Sequence, residues 1–321
     1  MAPGFNAQGR MRPVYSLTVN SWLRCVHTER HFWYPARVEV IKVDRMPTLR
    51  DPVAIIAFAG WNDAASAATA AARFVVKRLG ARKFASLDPE DFFDFKERRP
   101  NVRMTMRGER EIQWPLEEFF FARNPTGPHD IVVAVGVEPH LRWRTFADGH
   151  ISLFRDLNIT TVVSLGALMA DVPHTRPARV TGSAQDPAVA ERLNLTTSRY
   201  EGPTGIVGIM HEGLRRSGVP AASLWANVPH YVTTAQNPGA TIALLKRLET
   251  ILGLSFDVRE LSTAHDRFVA EVNTALSGNP EVQAYVERLE AAMDAGGIPE
   301  PAGEDLLGDI EAFLRGQRDD D

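Results

Sequence analysis

The feature that most constrains this chain is a series of short apolar runs, each closing on a glycine or turn and each followed by an amphipathic stretch. Val53-Ala54-Ile55-Ile56-Ala57-Phe58-Ala59 shows no polar alternation, so it reads as a strand buried on both faces. Gly60-Trp61-Asn62-Asp63 then turns the chain into an alanine-crowded helix expected over 64–79 and stopped by Gly80. The same grammar recurs in Ile131–Val135, which enters Gly136 ahead of a helix near 143–157. It recurs again in Thr160–Leu165, which enters Gly166, and in a helix near 206–217 before a strand at Ala222–Ala226. A helix over 238–252 closes the series. Strands alternating with helices imply an α/β fold, a three-layer α/β/α sandwich around a mostly parallel sheet. Arg103–Met106 and Arg110–Gln113 flank Gly108-Glu109 as a hairpin, which makes the expected sheet mixed.

Beyond residue 257 the strand signals stop. Segments 257–276 and 280–294 read as a C-terminal helical hairpin divided by Ser277-Gly278-Asn279-Pro280. Val282, Tyr285, Val286, Leu289 and Met293 form one apolar stripe on its second helix. The expected organisation is a weakly structured extension (1–45), an α/β domain (46–256), a helical subdomain (257–295) and an acidic, largely disordered tail (296–321). The extension carries a net charge of +4 and residues 300–321 a net charge of −6. No apolar core follows the basic amino end as a signal peptide requires, and Met46 reads as an alternative start just before the first strong strand.

Composition mainly excludes. With 36 basic and 40 acidic side chains the chain is nearly neutral, which argues against a protein built to hold nucleic acid. No run approaches the roughly 18 apolar residues of a membrane span. The single Cys25 rules out an intramolecular disulfide framework or a cysteine-based zinc site and suits a reducing cytoplasm. There is no Gly-x-Ser-x-Gly elbow, Walker loop or His-Glu-x-x-His helix; His211-Glu212 continues as Gly213-Leu214-Arg215. Gly202-Pro203-Thr204-Gly205-Ile206-Val207-Gly208 is glycine-dense but follows no buried strand, so it is no dinucleotide fingerprint. Neither a cofactor nor a metal is expected, and the balance leans away from an enzyme.

In a parallel sheet the loops at the carboxyl ends of strands converge on one edge, where ligands sit. Four such loops are rich in polar residues: Gly60-Trp61-Asn62-Asp63; Gly136 to His140, leading to Arg142 and Arg144; Gly166 to Pro177; and Asn227 to Tyr231. They offer Asp63, Asp171, His174 and His230 as acid–base groups and Arg142, Arg144 and Arg176 as anion clamps. Gly60, Trp61, Asn62, Glu138, His140, Gly166, Gly205 and Tyr231 complete the candidate ligand- or partner-binding set, with none assigned as catalytic. Each also has a structural reading. Asn62 and Asp63 suit helix caps, His174 and His230 suit contacts to neighbouring carbonyls, and Trp61, Trp143 and Trp225 suit packing. The arginines suit pairs with Glu138 or Asp171.

Six segments in this order resemble the bacterial, actinobacterial-type branch of the proteasome assembly chaperone 2 (PAC2) family. They are Phe58–Ala64, Glu138–Arg144, Leu165–Leu168, Asp171–Pro177, Tyr200–Gly208 and Val228–Val232, and the likeness spans about residues 47–294. It implies a fold similar to the phosphorylase/hydrolase class with a helical carboxyl-terminal part. It also implies a non-enzymatic chaperone or scaffold for protein partners, proteasome core subunits among them. Proteasome-binding relatives often end in a hydrophobic–tyrosine–any-residue tail, where this chain reads Gln317-Arg318-Asp319-Asp320-Asp321. The alternative expectation is a small-ligand binder or enzyme using the convergent loops. Self-association through the tryptophans and the hairpin stripe is compatible with either.

Overall fold

The computed structural model describes residues 40–124, 127–198, 200–232 and 236–296. In chain order it contains β1 (Ile41–Val43), β2 (Val53–Ala59), a 3-10 turn (Ala64–Ser66), α1 (Ala67–Arg78) and β3 (Arg82–Leu87). There follow β4 (Asn101–Met104), β5 (Arg110–Gln113), β6 (Glu117–Ala122), β7 (Ile131–Val137), α2 (Trp143–Asp156) and β8 (Thr161–Ala170). Next come β9 (Val180–Ala184), α3 (Pro187–Arg192), β10 (Thr196–Thr197), α4 (Ile206–Arg216) and β11 (Ala221–Pro229). The helices α5 (Pro238–Leu252), α6 (Arg259–Leu276) and α7 (Pro280–Asp294) end the described chain.

Nine strands form one sheet in the order β1-β3-β6-β7-β2-β8-β11-β9-β10. Its centre, β7-β2-β8-β11, is parallel. β2 is paired on both sides, so its backbone groups are satisfied by the ladder and every side chain must find an apolar layer. Ala54, Ile56 and Phe58 pack under α2 and α4 with Phe146, Phe154, Met210 and Leu214. Val53, Ile55 and Ala57 pack under α1 and α5 with Ala68, Ala72, Leu244 and Leu248. The small alanines of α1 let that helix lie close on the sheet, and the three expected layers result.

The sheet is mixed for a different reason than the hairpin predicts. β4 and β5 form a separate two-stranded ribbon, exposed along both strands. The antiparallel wings are instead β3, β6 and β9, whose charged or small residues hide them from a search for apolar runs. β1 joins the edge by pairing with β3, so residues 41–43 belong to the sheet rather than to a weakly structured extension. Residues 1–39 and 297–321 lie outside the described residues. β8 and β11 also run further than expected. Register from Gly166↔Trp225 to Ala170↔Pro229 makes strand of Gly166–Ala170 and Asn227–Pro229, which the sequence reading assigned to loops.

Past the sheet, α6 and α7 follow one another across residues 277–279 and share one apolar cluster. Asn279 caps α7 by accepting from the N–H groups of Glu281 and Val282. The stripe Val282, Tyr285, Val286 and Leu289 buries against Phe268, Val272 and Leu276 and against Tyr231 at the end of β11. All four central strands end on one edge of the sheet. β3 ends and β6 begins on that edge too, since Leu87 pairs with Glu117 and Glu118 with Val135.

Candidate functional site

The four loops share this carboxyl edge but divide into three groups. At the mouth of β2 and β7, the Glu138 carboxylate accepts from Asn62 Nδ2 at 3.0 Å and from the Ile206 N–H at 2.9 Å. It therefore occupies the amino end of α4, where unsatisfied N–H groups attract an anion. Gly205 is required for this approach: a Cβ there would stand 2.7 Å from both Asn62 Nδ2 and Glu138 Oε1. Asp63 caps α1 by accepting from Ala68 N at 2.7 Å, Thr69 N and the Thr69 hydroxyl. Burial pushes its pKa up, and the bonds from Thr69 and Ala68 pull against that. Ala65 and Ser66 just beyond it both hold positive φ, 50° and 53°, so the turn stores backbone strain. Trp61 stands 70 % exposed beside them, outside the core.

The second group anchors a neighbouring loop. His140 Nδ1 accepts from the Asp94 N–H at 2.9 Å, and Arg142 pairs with Asp91 at 2.6 Å rather than with Glu138. Arg144 is exposed and forms no ion pair among the described residues. In the third group, His174 is held between the Tyr231 hydroxyl and Asn273 Oδ1 of α6, both at 2.9 Å, and burial holds its pKa down. Arg176 makes a two-pronged bond to Asp294 of α7 and a contact to Glu290, not to Asp171. Asp171 accepts from Tyr285 and lies 3.3 Å from His230 Nδ1, which also faces the Ala170 carbonyl at 3.2 Å. These residues lock the helical pair onto the sheet edge. Among the described residues no three His, Cys, Asp or Glu side chains converge as a metal site.

A cleft of about 990 Å³ opens beside the first group. Its origin is in the strand pattern. On β11, Leu224, Ala226 and Val228 pack with α5 and Ala222 with Val189 and Ala190 of α3, while Ser223 and Trp225 face the other way. Their cross-strand partners on β9 are Ser183 and Thr181, and on β8 Ser164 and Gly166. Trp225 lies over Gly166, where a Cβ would meet its ring at 2.5 Å. This hydroxyl-rich floor is roofed by Tyr200 and Gly202–Gly205, with Trp61, Leu168 and Met169 at its sides. No lysine or arginine lines it among the described residues, and Glu138 already fills the anion position at α4. The walls thus offer an anion no cationic partner.

His211 closes the deep end, 5 % exposed, with Nε2 2.9 Å from Ser164 Oγ. Ser164 is only 1 % exposed and its hydroxyl also donates to the Ala222 carbonyl, so the serine of this pair is enclosed between β8, β11 and α4. Burial holds His211 down at about 4. Its folded-state pKa lies below the ordinary histidine value, so the unfolded chain binds the extra proton and the folded chain resists it. The stabilisation is complete above about pH 6.5 and is lost as pH falls toward 4, on the order of 2–3 kcal/mol. Urea midpoints measured between pH 7 and pH 4.5 should fall, and His211→Gln should flatten that part of the curve. A wild-type and a variant curve of equal slope would contradict this assignment.

Of the candidate binding residues, Gly60, Trp61, Asn62, Asp63 and Gly205 line this cleft, while its floor on β9 and β11 lies outside the loops that the sequence singles out. The usable signal was the serine, glycine and tryptophan at alternate positions of otherwise apolar strands.

Comparison with known proteins follows the same motifs. The PAC2 family model matches residues 57–276. A crystal structure of a PAC2 family protein from Streptomyces avermitilis is 42% identical with a TM-score of 0.68, covering 74% of this chain and 100% of that one. A Mycobacterium tuberculosis proteasome-assembly chaperone homologue is 40% identical with a TM-score of 0.66, covering 73% and 99%. PbaB, an archaeal proteasome activator from Pyrococcus furiosus, is 18% identical with a TM-score of 0.59, covering 74% and 97%, and shares the fold. No curated protein matches the chain.

Proposed function

Since the chain belongs to the PAC2 family, we propose that it is a non-enzymatic chaperone or scaffold that holds protein partners on the carboxyl edge of its sheet. Its partners in this reading are unassembled proteasome subunits in the cytoplasm, by likeness to the mycobacterial proteasome-assembly chaperone homologue. The observation that carries the reading is the rim of the cleft. Trp61 (70 %), Tyr200 (69 %), Met169 (53 %) and Leu168 (40 %) are all exposed around one mouth. Large apolar side chains grouped beside a concavity are the signature of an interaction face. The strained Ala65–Ser66 turn and the Glu138–Asn62–Ile206 bonds fix that face in place, which limits the ordering cost of association. No helix of the described residues is long and apolar enough to cross a membrane. Native mass spectrometry of the full chain mixed with recombinant α- and β-type core subunits from the same source tests the reading. A stoichiometric complex with one subunit type is expected; free components in both mixtures would refute it.

The neutral, hydroxyl-floored cleft favours a second reading, an uncharged small ligand. In a thermal-shift series, uncharged nucleosides should then stabilise the protein and inorganic phosphate should not. A ligand at a hundred times its dissociation constant contributes about 2.7 kcal/mol. Stabilisation by phosphate alone would sink this reading.

A further inference from the structure

The β4–β5 ribbon is the least satisfied part of the fold. An isolated two-stranded ribbon is marginal in water, and this one exposes Val102 (57 %), Met104 (57 %) and Ile112 (55 %). Val102 pairs with Ile112 and Met104 with Arg110, so these four share one face, while Arg103 and Glu111 share the other. Met106 at the tip is fully exposed, and Trp114 at the base is partly so. Residues 98–114 carry five arginines (Arg98, Arg99, Arg103, Arg107 and Arg110) against Glu109 and Glu111. None of these arginines forms an ion pair among the described residues. The ribbon therefore offers an apolar strip set in positive charge, and its best partner is apolar and acidic.

One segment of this chain has that chemistry. Residues 304–314, outside the described residues, place Leu306, Leu307, Ile310, Phe313 and Leu314 at helical spacing, flanked by Glu304, Asp305, Asp309 and Glu311 with no basic residue. The reach is sufficient. The ribbon leaves from the carboxyl edge between β3 and β6. α7 ends beside Arg176 and Arg179, just before β9 starts on that same edge. Five strand spacings separate β6 from β9, about 24 Å. The nine residues 297–305 extend up to about 30 Å.

We propose that residues 304–314 dock on the apolar face of the β4–β5 ribbon of the same chain, with Asp309 and Glu311 meeting Arg110 on that face and Arg107 at the tip. This interaction is independent of the partner face at the cleft, since it uses neither Trp61 nor Tyr200. Hydrogen exchange of the ribbon amides in the full chain tests it, with the core strands as an internal control for folding. Reversing the ribbon (Arg107→Glu with Arg110→Glu) or the tail (Asp309→Lys with Glu311→Lys) should speed ribbon exchange several-fold. The four substitutions combined should restore slow exchange, and tenfold dilution of the protein should change nothing. Exchange unaltered by either reversal, or not restored by the combination, would overturn the proposal. So would protection lost on dilution, which would mean that a second copy covers the ribbon.

Discussion

Replacing Glu117 by alanine is expected to destabilise the fold by about 3–5 kcal/mol. Glu117 and His150 are fully buried, with Nε2 2.7 Å from Oε1. His150 Nδ1 stands 2.7 Å from the Phe146 carbonyl, an acceptor only, so Nδ1 donates there and Nε2 is left to the carboxylate. Phe58, Phe119, Phe146 and Phe154 surround the ring at centroid distances of 4.5–6.1 Å. Removing the carboxylate leaves a fully buried imidazole nitrogen unpartnered among aromatic rings. The pair is not an optimum in itself, because Glu117 Oε2 has no partner among the described residues. Glu117→Leu combined with His150→Phe should therefore lose much less than Glu117→Ala alone. Urea unfolding of the three proteins checks this. A single variant within 1 kcal/mol of wild type, or a double variant as unstable as the single one, would remove the pair from the account of stability. The pair matters to the site because it ties the start of β6 to α2, directly behind the loop that presents Glu138.

Trp61→Ala is expected to weaken partner binding by about 2 kcal/mol or more, roughly thirtyfold, while leaving the unfolding midpoint nearly unchanged. Tryptophan at the centre of a contact face is a typical anchor. Its exposure in the free protein means that truncation removes little packing. Titration of a labelled proteasome subunit against wild type and variant measures the effect. Equal affinities would place the contact elsewhere on the surface.

The central strands and their helices were legible because a doubly covered strand must be apolar throughout, as in β2, β7 and the first half of β8. The wings were not. RKFASL opens on the exposed Arg82 and Lys83, EEFFFA opens on a buried and a half-buried glutamate, and VTGSA in β9 contains residues equally suited to a turn. At the site, the capping role of Asp63 followed from its place before an alanine-rich helix. That His174 would meet Asn273, and Arg176 meet Asp294, depends on how α6 and α7 fold back from about a hundred residues away, which no local pattern encodes. Convergence of all four loops on one point was an inference from topology. The strands do end on one edge, but the edge is wide enough to hold a cleft, a loop anchor and a helix seam side by side.

Hydrogen exchange of the full chain with and without an unassembled proteasome core subunit tests the central claim most directly. Protection confined to residues 60–65, 168–169 and 200–205 is the result this account predicts. Protection restricted to the outer faces of α6 and α7, or no protection at saturating subunit, would contradict it.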